Sequence, residues 1–410
     1  MFWESYSHKQ IKEIVFSALD KNLDYREKPV LGLPASYLDP EVFYDDAPFL
    51  KDAPFLSALI ANPNHIGCHT LNDSEVAFEG THQIEKELID ICAKQIFDGR
   101  EEDFDGYVAS GGTEANIQAL WILKGYYETE FQAKANQIGV IYSEDAHYSM
   151  PKASKLLSLK SYVTQVDPIS RAVTKESLEN CITAAQADGV KHFILVINMS
   201  TTMFGSVDDI GKITLWLDDL KVDYKVHVDA AFGGYIYPFS NEASLLTFQN
   251  PKINSFTLDG HKMLQSPYGT GIYLSRKGFM EYGLTEEANY VKGKDYTLVG
   301  SRSGANAIAI WMIMRTYGSE GWKGKIQKLL SKTDRLCSNL DEKGVEYFRN
   351  PFMNIVTIKS EFVSTALADK YMLVPDTHGE GVKWWKIVVM EHVKQGVVDS
   401  FLHDLDMERQ

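Results

Sequence analysis

The sequence has few cysteines and no pattern among them: Cys68, Cys92, Cys181 and Cys337 stand apart, with no CxxC pair. That spacing argues against a disulfide framework and offers no His/Cys pair at zinc-ligand spacing. Free thiols in a reducing cytoplasm, and no metal, are expected. Positive charge is scarce as well. A net charge of −15 disfavours nucleic acid and anionic membrane as partners, because both demand basic surface. No apolar run is long enough to span a bilayer, and MFWESYSHKQ lacks the polar-apolar-small order of a leader. Three familiar signatures are missing too. There is no GxxxxGKS or GxxxxGKT loop and no GxSxG elbow, and Leu274 takes the third glycine position after Gly269-Thr270-Gly271.

What is present is a repeated alternation of strand and helix patterns in a chain long enough for one large domain and a smaller one. Each of five apolar strands ends at a residue with chemical capability. Tyr107–Ala109 runs into Ser110-Gly111-Gly112-Thr113-Glu114-Ala115-Asn116, followed at once by a helix burying Ile117, Leu120, Trp121 and Tyr127. Two glycines allow a tight turn and close approach of a ligand, and the free amides at the helix start favour an anion, most simply a phosphate. Gly139–Tyr142 leads to His147, Phe193–Asn198 to Thr201, and Val226–Asp229 to Asp229 itself, followed by Ala230 and Ala231. Ser255–Leu258 ends in Asp259-Gly260 and presents His261-Lys262; Gly271–Leu274 closes the set. In an open, mainly parallel sheet the carboxyl ends line one edge, where ligands bind. A lone lysine or histidine at such a place is commonly structural; five motifs at one edge are not a coincidence of composition.

A phosphate cradle, an amine, a carboxylate and an imidazole together suit pyridoxal 5'-phosphate (PLP). Its phosphate fits the Gly111-Gly112 turn and its aldehyde carbon fits Lys262, whose amine, once desolvated, is the form that makes a Schiff base. Asp229 suits the pyridine nitrogen, His147 one ring face, Ala231 the other, and Thr201 the ring oxygen or a substrate carboxylate.

The segments SGGTEAN, DAHYSMPKA, TTMFGSVDDI, HVDAAFGG, DGHKM and GSRSG closely resemble the group II PLP-dependent amino acid decarboxylases, over roughly residues 60–320 and more weakly to the C-terminus. The length is similar to that of the compact bacterial histidine decarboxylases and archaeal tyrosine/aspartate decarboxylases. The resemblance implies the α/β PLP-dependent transferase fold type I, with a large, mainly parallel domain and a smaller C-terminal α/β domain, in a homodimer. It also implies decarboxylation of an L-amino acid through an external aldimine and a quinonoid. Lys262 becomes the Schiff-base lysine, Asp229 the pyridinium partner and His147 the stacking residue. Gly111, Gly112 and Thr113, helped by His261, become the phosphate site. Tyr290, in EEANYVKGKDYTLVGSR, falls at the mobile-loop tyrosine that protonates the substrate carbon, with His147 as a relay. Keeping Tyr290 weighs against the alternatives on this fold, an aldehyde synthase or a carbon–carbon lyase.

Residues 1–55 are expected as an N-terminal arm of a kind that often packs on a partner subunit. Ile11, Ile14, Val15 and Leu19 recur at helical spacing there before Pro29, Pro34, Pro40 and Pro48 break regularity. Residues 56–298 are expected as the PLP-binding domain and 299–410 as the small domain, with strands near Glu346–Phe348, Asn354–Ile358 and Lys386–Met390. The substrate side chain stays open among histidine, aspartate, glutamate and aromatic acids. His65, His69 and Thr70, within Asn62–Thr70, are read either as pocket contributors or as a surface turn. Arg302 has three readings: a carboxylate site, an anchor for the loop bearing Tyr290, or a structural ion pair.

Overall fold

The computed structural model describes residues 2–22, 46–71, 76–99, 103–283, 295–376 and 381–409. Strand β1 (Asn64–Ile66) precedes a run of seven strands: β2 (Phe104–Ala109), β3 (Ile138–Ser143), β4 (Lys160–Thr164), β5 (His192–Asn198), β6 (Asp223–Asp229), β7 (Ile253–Asp259) and β8 (Gly271–Arg276). These seven form one sheet in the order β2-β8-β7-β6-β5-β3-β4. All run the same way except β8, which is antiparallel to both β7 and β2. The carboxyl ends of β2, β3, β5, β6 and β7 therefore share one edge. β8 is the inverted member of the expected set. β4, whose KSYVT alternates exposed and buried positions, is an edge strand that apolar runs did not reveal.

The central strands are apolar throughout because both faces of the sheet are covered. In β5, Phe193, Leu195 and Ile197 join one core while Ile194 and Val196 join the other, the period-2 alternation of a strand between two helical layers. The helix Gly112–Glu130 lies in the second layer, and its Tyr127 hydroxyl donates to Phe193 O (3.0 Å).

β9 (Ser301–Ser303) pairs antiparallel with β1 and starts the long helix Gly304–Glu342. That helix packs Trp311 and Trp322 into the main core and Leu336 and Leu340 into a third core. Around the third core a small antiparallel sheet is built from β10 (Tyr347–Phe348), β11 (Ile355–Lys359), β12 (Val374–Pro375) and β13 (Trp384–Val388), ordered β10-β11-β13-β12.

The helix His8–Asp20 starts with a capping box between Ser7 and Gln10. It buries Ile11, Val15 and Ala18 in the protein's own main core. Ahead of it, residues 3–6 staple a break in the long helix at Gly318 (φ 61°). Trp3 Nε1 donates to Met314 O (3.0 Å), Tyr6 N to Arg315 O (2.6 Å), and Ser319 N to Trp3 O (3.2 Å). Among the described residues no helix is long and apolar enough to cross a membrane.

Candidate active site

Asp229 closes β6 and is 6% exposed. Both its oxygens accept hydrogen bonds, Oδ2 from Asn116 Nδ2 (2.9 Å) and Oδ1 from Ala231 N (3.1 Å). Asn116 is held in turn. Its Oδ1 can only accept, so the proton on His227 Nε2 points at it (3.0 Å), and His227 Nδ1 is left to accept from Ser255 Oγ (2.9 Å). Burial pushes the His227 imidazole down to about 4, which keeps the ring neutral in this chain of donors. Asn116 and His227 fall inside the SGGTEAN and HVDAAFGG segments, yet neither carries a role there, since each reads as a polar residue within a helix or a strand.

The same Asn116 Nδ2 reaches Ser149 Oγ (2.9 Å), which lies 2.9 Å from His147 Nδ1. Ser149 N donates to that Nδ1 (3.2 Å), so the neutral ring carries its proton on Nε2. Burial holds the His147 pKa below the usual imidazole range; the Asp229 carboxylate opposes that shift and Lys262 adds to it. His147, Asp229 and Lys262 thus share one electrostatic neighbourhood.

At the phosphate turn, Gly111 adopts φ +153°, a backbone region that favours glycine. β8 comes so close that a Cβ on Gly271 would lie 2.4 Å from Gly111 C. Thr113 is half-buried in the first turn of the helix Gly112–Glu130. Asp259, at the end of β7, ties three pieces together: its Oδ2 accepts from Gly112 N (3.2 Å) and lies 3.8 Å from Lys262 Nζ, and its Oδ1 lies 2.8 Å from His261 Nδ1. The Lys262 side chain is 31% exposed, so its amine is open to a ligand. Ala231 is buried beside the turn, 3.2 Å from where a Gly112 Cβ would stand.

Two placements differ from simple expectation. The Thr201 hydroxyl is engaged inside its own loop, 2.7 Å from Ser206 Oγ, and accepts from Ser206 N (3.2 Å). Lys386, on β13, reaches back to donate to Thr202 O (3.0 Å), and burial together with the Lys262 charge lowers its pKa. The antiparallel sheet of β10–β13 thus brings a second amine toward the site, an approach invisible in a sequence that separates the two lysines so widely. Tyr290 lies outside the described residues.

Asn62–Thr70 is neither a surface turn nor an open pocket wall. His65 is fully buried on β1 opposite Arg302 on β9. Arg302 is a structural ion pair: Nη1 bonds Glu85 Oε1 (2.5 Å) and Val108 O (3.0 Å), and Nη2 bonds Gly67 O (2.5 Å). Burial, outweighed by the facing carboxylate, leaves its pKa raised. The four cysteines are unpaired.

A parallel α/β sheet that gathers an accessible lysine, a buried carboxylate, an imidazole and a glycine-lined helix start at one edge has the donor set that pyridoxal phosphate requires. The class is that of the fold type I PLP enzymes. Residues 82–356 match the pyridoxal-dependent decarboxylase conserved domain. The chain is 46% identical over 404 residues to the tryptophan decarboxylase of Clostridium sporogenes, covering 98% of this chain and 97% of that one. It is 29% identical over 324 residues to the histidine decarboxylase of Vibrio campbellii, covering 77% and 78%. L-methionine decarboxylase from Streptomyces sp. 590 shares the fold, with a TM-score of 0.67 at 19% identity over 84% of this chain and 86% of that one. The chain belongs to the pyridoxal-dependent decarboxylase family. It is a PLP-dependent amino acid decarboxylase, a carboxy-lyase acting on a small-molecule amino acid.

Proposed function

We propose that the substrate is an aromatic L-amino acid, tryptophan first, released as the amine and CO2. The observation that carries this is the 46% identity to a tryptophan decarboxylase across nearly the whole of both chains. Two exposed aromatic rings flank the site and support it: Tyr148 stands 4.0 Å from the His147 ring and Tyr268 5.1 Å from the His261 ring, centroid to centroid. Both are largely solvent-facing and suit an indole.

Bound PLP supplies a protonated pyridine ring that accepts the electron pair left on the α-carbon when CO2 departs. In this reading Lys262 holds the aldehyde carbon, and the Gly111-Gly112-Thr113 turn with His261 holds the phosphate. Asp229, supported by Asn116, keeps a proton on the ring nitrogen. His147 would hold one face of the ring and Ala231 the other. Lys386 adds positive charge where the substrate carboxylate must enter. Thr201 shapes the wall through the Ser206-bonded loop, and Tyr290 returns the proton to the α-carbon. We further infer a homodimer in the cytoplasm: Phe49, Leu56 and Leu59 leave apolar side chains exposed along 48–61, and Tyr268, 87% exposed, lies beside the site. The domain division at 55 and 298 belongs to the same proposal.

The test is CO2 release by PLP-loaded protein across a panel of L-amino acids, with products weighed by mass spectrometry. Tryptophan giving stoichiometric tryptamine is the expected result; preference for histidine or aspartate would overturn the substrate assignment. Aldehyde with ammonia as the main product would overturn the role of Tyr290.

A further inference from the structure

We propose that His65, His69 and His82 form a binding site for a divalent transition-metal ion of the imidazole-preferring class, zinc, cobalt or nickel. The site is buried behind the phosphate turn and takes no part in the chemistry. His65 lies on β1, His69 in the turn that follows, and His82 in the helix Glu79–Asp90. His65 and His69 stand at the H-x3-H spacing common among zinc ligands, and folding brings His82 to them, so that one nitrogen from each lies within 4.8 Å of the other two. The His69 and His82 rings stack at 3.7 Å, and His65 stands edge-on to both at 4.8 and 4.7 Å.

Two observations separate this cluster from an ordinary packed core. First, His69 is 2% exposed and His82 fully buried, and their ring nitrogens, sealed from solvent, meet only poorly aligned partners: the Glu85 carboxylate at 3.2 Å from His69 Nε2 and the Asn64 backbone beside His82, with His69 Nδ1 facing none. Buried polar atoms in folded proteins almost always have a partner, and an ion or water is the usual one where no side chain serves. Second, a carboxylate already stands where a metal site needs one. Glu85 Oε2 accepts from His65 Nδ1 (2.6 Å) and lies 3.2 Å from His69 Nε2. An imidazole that donates one nitrogen to a carboxylate is oriented, and made more basic, for a metal on the other. Arg302 occupies the opposite oxygen of Glu85, so the two charges offset and the ion meets a cage of neutral rings.

Zinc–imidazole bonds of about 2.0–2.1 Å place neighbouring nitrogens ~3.3 Å apart in a tetrahedron. Binding therefore draws the rings inward and takes His65 Nε2 from its present contact with Thr81 Oγ1 (3.0 Å); water completes the fourth position. The ion would act as a brace. Glu85 Oε1 accepts from Val108 N (2.7 Å) and Arg302 donates to Val108 O, so the cluster grips β2 directly before the Gly111-Gly112 turn.

The experiment uses full-length holoenzyme, freed of metal with a chelator, dialysed against cobalt(II) and then metal-free buffer. The expected result is about one cobalt retained per chain, with tetrahedral ligand-field absorption and a higher thermal midpoint. All three should be lost in His69→Gln and in His82→Gln proteins that retain their PLP. X-ray absorption on zinc-loaded wild type checks the site without mutation and should show imidazole scattering from three rings. No retained cobalt in the wild type, equal retention by both variants, or zinc without imidazole neighbours overturns the proposal.

Discussion

Asn116 Nδ2 donates to Asp229 Oδ2 at 2.9 Å, and the same nitrogen reaches Ser149, the residue that orients His147. One amide on the first turns of a helix thereby sets the position of two side chains, one closing β6 and the other in the loop after β3. Asn116→Leu removes a hydrogen bond to a charged acceptor, worth roughly 1.5–3 kcal/mol. The expected outcome is a fall in kcat of about 10- to 100-fold, with PLP still bound. Steady-state kinetics and a cofactor titration check it, and unchanged kcat would show that Asp229 does not depend on this donor.

Lys262→Ala should abolish turnover and the visible absorbance of the lysine-bound cofactor, and leave nothing for borohydride to trap. Digestion and mass spectrometry of borohydride-treated wild type should find the label on Lys262. A label on Lys386 instead would reverse the roles of the two amines.

Gly271→Ala tests the close packing of β8 against the phosphate turn. The new Cβ would lie 2.4 Å from Gly111 C, a distance no relaxed contact permits, so the backbone of the turn must move. Overpacking of this kind costs about 1–3 kcal/mol, and the displaced turn should weaken PLP affinity at least as much as stability. Equilibrium dialysis of PLP and urea denaturation give the two numbers.

Two buried groups tie stability to pH with opposite signs. His227 titrates at about 4 in the folded protein and near 6.5 when free, so the unfolded chain binds more protons between those values. Its contribution is present above pH 6.5 and lost as pH falls to 4, about 3 kcal/mol over the window. Burial pushes Asp208 up to about 6 from 3.8. The folded protein binds the extra proton there, so its contribution is present below pH 4 and lost as pH rises through 6, again about 3 kcal/mol at most. Urea midpoints from pH 4 to 8 should show His227→Gln flattening the acid side. Asp208→Asn should gain stability above pH 6 and converge with wild type near pH 4.

The strand ends were legible because a strand covered on both faces must be apolar throughout, and what interrupts it stands out: Gly111-Gly112, Asp229, His261-Lys262. Residues that act through another residue carry no such mark. Asn116 and His227 look like polar positions in regular elements, and Lys386 approaches Lys262 only through the packing of two sheets. The cluster of His65, His69, His82, Glu85 and Arg302 draws on β1, the turn after it, one helix and β9; only His65 and His69 share a ligand-like spacing, and nothing in the sequence joins the other three to them. The inversion of β8 was hidden for a different reason: an apolar run does not disclose its direction.

The staple at Gly318 bears on how the protein is made. Trp3 leaves the ribosome 311 residues ahead of its partner Met314. The main core therefore cannot close over Trp3 and Ile11 until synthesis has passed the break in the long helix. Until then Trp3, Ile11 and Val15 are without their docking groove, exposed apolar surface of the kind that draws a chaperone.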